Sequence, residues 1–282
     1  MEVRSPIIAK AASKSPRKPV VPGWSRLPTA LRYLILLVVF VGIWQAYVSL
    51  SDVPPSLVAS PLDVWNALIT DVLNLTIPNA ALTTLENLLI GLALGIVLGM
   101  LLATLAAVST IGRDLLTLLV SIFNPLPSIA ILPLAMIWFG LTPLSIIFVV
   151  THATMWPVAI NADTGFRTIS PTLQMVARNL GLKGVRMVSD ILLPASLPYI
   201  LTGVKAAWAF GWRTVVAAEL VFGVAGEAGG LGWYINNSRY FLNTPNVFAG
   251  LLVISLLGIA VEMLFSLIEK KTIVKWGMKK NA

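Results

Sequence analysis

The sequence predicts an all-α polytopic membrane protein with about six transmembrane helices. Three observations predict it. Of the 282 residues, 57% are hydrophobic and only 11% charged, with a mean hydropathy of +0.87. Several uninterrupted apolar runs approach the roughly 20 residues that a helix needs to cross a bilayer. The basic residues gather on one side of those runs, as the positive-inside rule requires. Transmembrane β-strands need only about 10 alternating residues, so run length excludes a barrel.

Residues 1–32 carry Arg4, Lys10, Lys14, Arg17, Lys18, Arg26 and Arg32 among recurrent Pro and Ser. They read as a disordered, basic cytoplasmic tail. No small-residue cleavage site follows a short apolar core, so no removed signal peptide is expected. The apolar runs are 33–50, 88–108, 115–140, 143–160, 197–224 and 247–268. Together they predict a transmembrane domain over 33–270, with 271–282 as a second cytoplasmic tail. An even number of spans puts both termini on one side. That side also receives Arg113, then Arg167, Arg178, Lys183 and Arg186, and finally Lys270, Lys271, Lys275, Lys279 and Lys280, whereas the other side offers only Arg239. The termini and the 161–194 loop are therefore expected in the cytoplasm.

Between the first two runs, 61–73 reads as a short amphipathic helix on the outer interface. Ser60 would cap it, with Pro61 at the first helical position. Glu86 and Asn87, at the outer entrance of the second run, read as exposed to water. Gly91, Gly95 and Gly99 recur every four residues in that run, a stripe that lets helices approach closely. The third run is broken by Asn124-Pro125-Leu126-Pro127-Ser128 and by Pro133. Proline removes a backbone donor and bends a helix. Irregular backbone at membrane depth persists only where protein or a water-filled cavity satisfies it. Pro125 and Pro127 thus mark either a packing kink or part of a path.

The 161–194 loop is charged, yet it contains a second amphipathic signal. Ser170 can cap a helix that Pro171 begins and Gly181 ends in left-handed geometry. Leu173, Val176, Ala177 and Leu180 fall at i, i+3, i+4 and i+7, one apolar face. Such a helix, about 15 Å long, is suited to docking. The fifth run carries Lys205, Arg213 and Glu219. Each charge at mid-bilayer costs on the order of 2.5–3.5 kcal/mol on insertion scales, so three in one run need a reason. Lys205 lies near an end and can snorkel. Arg213 and Glu219 are six residues apart and point in different directions, so each needs a partner on another helix or subunit. Structural glue and a translocation role both remain open for them.

No catalytic constellation is present. The sequence has no Gly-x-x-x-x-Gly-Lys-Ser/Thr phosphate loop, no Gly-x-Ser-x-Gly and no His-Glu-x-x-His. Cysteine is absent, so no thiolate metal site is possible, and His152 as the one histidine leaves little for a histidine metal site. His152 reads as a packing or hydrogen-bonding residue. The net charge of +8 follows from the one-sided loops and is no nucleic-acid signal.

Gly181, nine residues, then Ile191-Leu192-Leu193-Pro194 resembles the cytoplasmic loop of permease subunits of binding-protein-dependent ATP-binding-cassette (ABC) importers. There the pattern reads Glu-Ala-Ala, three residues, Gly, nine residues, Ile-x-Leu-Pro. Met175, Val176 and Ala177 stand at the Glu-Ala-Ala positions here. Gly203-Val-Lys205, Gly211-Trp-Arg213, Val216-Ala-Ala-Glu219 and Gly230-Leu-Gly232-Trp-Tyr-Ile235 resemble the nitrate, sulfonate, taurine and bicarbonate branch. So do Pro125-Leu-Pro127, Leu132-Pro133, Trp138-Phe-Gly140 and Trp156-Pro-Val-Ala-Ile-Asn161. The resemblance implies the type I importer fold in a bacterial inner membrane. It implies a second permease copy as a homodimer partner, a cytoplasmic ABC ATPase dimer and an extracytoplasmic substrate-binding protein. The loop residues 173, 176–178, 180, 181, 191, 193 and 194 would engage the ATPase. ATP would be bound by that partner, and this chain would need no cofactor and would not be an enzyme. The implied cargo is a small, generally anionic solute. An ion-coupled secondary transporter is the alternative; it would show paired broken helices in two symmetric halves.

Overall fold

The computed structural model describes residues 27–51, 53, 54, 56–222 and 229–269. The basic stretches 1–26 and 270–282, and the end of the fifth run at 223–224, lie outside the described residues. The described residues contain helices and no strand. Among the described residues, four helices are each long and apolar enough to cross a membrane, or up to six spans result if each of two bent helix pairs counts as one.

The first helix, α1 (Thr29–Leu50), belongs to a unit of its own, residues 1–52. It begins four residues before the expected apolar run. Pro28 fixes the entry to its first turn, and Arg32 Nη2 donates to Thr29 Oγ1 at 3.0 Å. None of its residues is buried, as suits a helix whose solvent is lipid.

The second unit starts with α2 (Pro61–Leu73). Its start is as expected: Asp63 N–H donates to Ser60 Oγ at 3.1 Å, with Pro61 in the first turn. Next comes α3 (Thr76–Val108), a 33-residue helix that begins twelve residues before the apolar run. The polar letters Asn79, Thr83, Thr84, Glu86 and Asn87 hide the helix in a hydropathy reading. Thr84 and Asn87 are buried inside the protein; the expectation that Asn87 faces water is corrected.

The third run divides into α4 (Thr110–Phe123), a 3₁₀ turn at Ser128–Ile131 and α5 (Leu132–Phe139), bent by 87° at the prolines. Ser145 Oγ donates to Gly140 O at 2.7 Å, which ties the end of α5 to the start of α6 (Pro143–Thr168). α6 continues eight residues past its apolar run. The loop between the fourth and fifth spans therefore starts at Ile169, and not at 161. The loop holds α7 (Pro171–Asn179), α8 (Gly184–Met187), a π-helical turn at Val188–Leu192 and α9 (Leu193–Ala195). It then bends by 79° into α10 (Leu197–Phe222). Last come α11 (Leu231–Tyr240) and α12 (Thr244–Glu269).

The core is the α3–α6–α10 packing. Lipid is as apolar as leucine, so close approach and dispersion hold such helices together. The glycine stripe supplies that approach. A Cβ on Gly91 would come within 2.6 Å of the Val150 side chain, and one on Gly99 within 2.6 Å of Met155 O. Gly211 of α10 faces Thr154 and Leu88 in the same way. Around these contacts Leu88, Leu132, Val149, Val150, Val158 and Val215 are fully buried.

Candidate functional site

The loop after α6 is built around α7. Its N-terminus is closed by Leu173 N–H donating to Ser170 Oγ at 3.3 Å. Its C-terminus closes with two bonds, Leu182 N–H to Ala177 O and Gly181 N–H to Arg178 O, each 3.0 Å. Gly181 sits at φ +83°, the left-handed conformation this closure requires. The predicted apolar face is split. Ala177 is 1% exposed and packs with Ala103, Phe166, Met187 and Val188 in a small core below the loop. Leu173, Val176 and Leu180 are 40%, 50% and 75% exposed, as is Met175 beside them at 57%. The helix is thus held rigidly from one side while it presents an apolar stripe on the other. The Ile191–Pro194 stretch turns the chain into α10. Pro194 has no N–H, and the preceding turn widens to π geometry. Leu192 is buried, Ile191 packs at the core's edge, and Leu193 and Pro194 are exposed.

The break between α4 and α5 borders a cavity of about 320 Å³. Asn124, Pro125, Pro127, Ser128, Trp156, Phe210 and Thr214 line it. A side-chain relay supports its wall. Trp156 Nε1–H donates to His152 Nε2 at 3.2 Å, which leaves the ring proton on Nδ1, 3.2 Å from Ser128 Oγ. Phe123 stacks on Trp156 with ring centroids 5.8 Å apart. His152 is therefore a neutral spacer that fixes the tryptophan and the broken strand of chain.

The three charges of α10 part company. Lys205 Nζ lies 2.7 Å from Glu262 Oε1 of α12, a partner that the sequence reading passed over. Glu219 is 2% exposed. Its Oε2 accepts from Thr84 Oγ1 of α3 and from Gly232 N–H of α11, both at 2.9 Å. Thr84 Oγ1 in turn accepts from Leu231 N–H at 2.8 Å. A side chain from one helix and one from another thus cap the start of α11. No Cβ fits at Gly230, against which the Glu219 carboxyl and the Thr84 hydroxyl press, nor at Gly232, where one would lie 2.6 Å from Glu219 Cβ. Glu219 is held by these bonds and does not line the cavity beside Pro125 and Pro127. Arg213 is exposed, with no ion-pair or hydrogen-bond partner among the described residues. It shares a face with Thr202, Phe210 and Leu220, which are also exposed.

A second polar cluster joins α2, α11 and α12. Asp71 accepts from Tyr234 OH at 2.5 Å and from Asn246 Nδ2 at 2.6 Å. Burial, and then the hydrogen bond and charge of Asp71, hold the Tyr234 phenol far above its ordinary range. Sequence reading missed this cluster because Asp71 lies over 160 positions from both of its partners; an aspartate in an amphipathic helix looks like a solvated residue.

The family model for the binding-protein-dependent transport system inner membrane component matches residues 95–274. The chain is 29% identical over 268 residues to a putative aliphatic sulfonates transport permease of Bacillus subtilis, covering 95% of this chain and 93% of that one. It is 28% identical over 232 residues to the taurine transport system permease of Escherichia coli, covering 80% and 83%. It is 26% identical over 252 residues to a nitrate import permease of Leptolyngbya laminosa, covering 88% of each.

Proposed function

The chain belongs to the family of inner membrane components of binding-protein-dependent transport systems, and from that premise we propose that it carries a small oxyanion along the exposed face of α10, driven by an ATPase docked on α7. Membership makes it a multi-pass permease subunit of an ABC importer and sets aside the ion-coupled alternative. The observation that carries the anion reading is Arg213. An uncompensated guanidinium at mid-span is costly against lipid, so its face borders water, solute or another copy of the chain. The cavity lined by Phe210 and Thr214 flanks the same stretch of α10. The relatives named for aliphatic sulfonates, taurine and nitrate support a solute bearing a sulfonate- or nitrate-like group.

The division of labour follows from the loop. Its stripe of Leu173, Val176 and Leu180 fits an apolar groove on a partner, and its rigid attachment to α6 and α10 lets a push on α7 tilt both. The partner is a cytoplasmic ABC ATPase, which binds ATP; this chain needs no cofactor. The pathway is completed by a second copy, and an extracytoplasmic binding protein delivers the solute at the α2–α11 end. The transport domain spans 33–270, and the loop and both termini face the cytoplasm. The chain has no cysteine, so Leu180→Cys offers one thiol, expected to react with an impermeant maleimide only in inside-out vesicles.

The deciding experiment is reconstitution. Proteoliposomes with permease, ATPase and binding protein should accumulate a radiolabelled sulfonate or nitrate analogue only with ATP on the ATPase side. Uptake by the permease alone, driven by an ion gradient, would sink the reading.

A further inference from the structure

Where the loop meets the end of α3, two cavities adjoin. The first, about 310 Å³, has Arg178 and Lys183 on its rim and Ala107, Val108 and Met187 in its wall. The second, about 470 Å³, is an open, almost wholly apolar groove between Val97, Met100 and Leu101 of α3 and Val185 and Leu193 of the loop. Val188 lines both. The α3 residues Val97, Leu101, Thr104 and Val108 follow one another at four, three and four positions, which makes them a single stripe. At 1.5 Å per residue the stripe spans roughly 16 Å, close to the depth of one leaflet, half of a ~30 Å hydrocarbon core. Neither the Arg178 nor the Lys183 side chain has an ion-pair or hydrogen-bond partner among the described residues. The loop's carboxylate, Asp190, accepts from its own neighbour Ser189 at 2.6 Å.

An apolar groove one leaflet deep that ends in two unpaired cations complements a particular chemistry. A free anion would use the basic end and leave the groove empty. A zwitterionic lipid would use the groove, but its phosphate brings a cation of its own, so it adds no net charge to offset the two basic side chains. We infer that this surface binds one anionic phospholipid, its phosphate between Arg178 and Lys183 and an acyl chain along α3. Clusters of basic residues where helices leave the membrane are favoured sites for such headgroups. The site deepens the permease reading and rests on it for the leaflet concerned. Val185, Val188 and Leu193 belong to the segment that joins α7 to α10, so a bound lipid braces the part of the loop that would transmit motion.

The test uses the purified permease–ATPase complex in mild detergent, incubated with spin-labelled phosphatidylglycerol or phosphatidylcholine at equal concentration. Phosphatidylglycerol should be retained at least about fivefold better, the attraction of one basic group at a membrane surface. Lys183→Gln should reduce that preference by about the same factor, and Leu101→Trp, which fills the groove, should reduce retention of both lipids. Excess glycerol phosphate should not displace the label. Equal retention of the two lipids, or unchanged phosphatidylglycerol retention in both variants, overturns the inference. Displacement by glycerol phosphate overturns it too, in favour of a free-anion site. Retention in detergent does not depend on which side the loop faces, so its failure leaves the cytoplasmic reading of the loop standing, and the maleimide result leaves lipid retention standing.

Discussion

Arg213 and Glu219 show how differently two charges six residues apart can be used. Glu219 accepts two hydrogen bonds in a buried site that joins α3, α10 and α11. Removal of the carboxyl leaves two buried donors unpaired, at roughly 1–3 kcal/mol each. Glu219→Ala should lower the midpoint of thermal aggregation in detergent, read by size-exclusion fluorescence. Glu219→Gln keeps an accepting oxygen and should remain close to the parent. Arg213 has no such duty, so Arg213→Gln should leave the midpoint unchanged while ATP-dependent uptake falls by roughly tenfold, the equivalent of about 1.4 kcal/mol; Arg213→Lys should recover part of it. Equal damage to stability and uptake in Arg213→Gln would count against a role in the path. The sequence announced both residues as anomalies. It could not separate them, because the Thr84 and Gly232 that claim Glu219 become neighbours only after α3, α10 and α11 pack.

Helix α7 was legible almost to the residue. Its cap, its proline and its terminal glycine are local signals, and each makes a local bond. The space beside Gly181 is open, so a substitution there meets only the backbone cost of positive φ, about 1–2 kcal/mol for a side chain that resists it. Gly181→Leu should weaken co-purification of the ATPase while membrane insertion persists; Gly181→Asn, which tolerates the left-handed region, should retain it. Normal association in the leucine variant would argue against docking through this helix end. The split of its apolar face was not legible. Helical spacing groups Ala177 with Leu173, Val176 and Leu180, but the small core under the loop takes the short side chain and leaves the long ones outside. The opposite failure occurred in α3, where polar residues concealed twelve residues of helix because their partners are distant in sequence.

The uncovered face of α10 sets the question of assembly. A second copy across Thr202, Phe210, Arg213 and Leu220 would shield the guanidinium from lipid and line a path with it. In the cysteine-free chain, Phe210→Cys should then cross-link to its counterpart in native membranes with a short bis-maleimide, and added solute and ATP should change the yield. Absence of any dimer band would argue for a different interface. The sequence alone determined the solvent of this protein, the position of its apolar runs and the place of the capped loop helix α7. These depend on composition, periodicity and caps, which act over a few residues. Only the tertiary structure decided which glycines touch which helices, that Lys205 meets Glu262, and that Glu219 caps a helix begun by Leu231 and Gly232. Those outcomes require segments more than ten residues apart to meet, and in a membrane close approach of backbones, rather than hydrophobicity, selects which of them do.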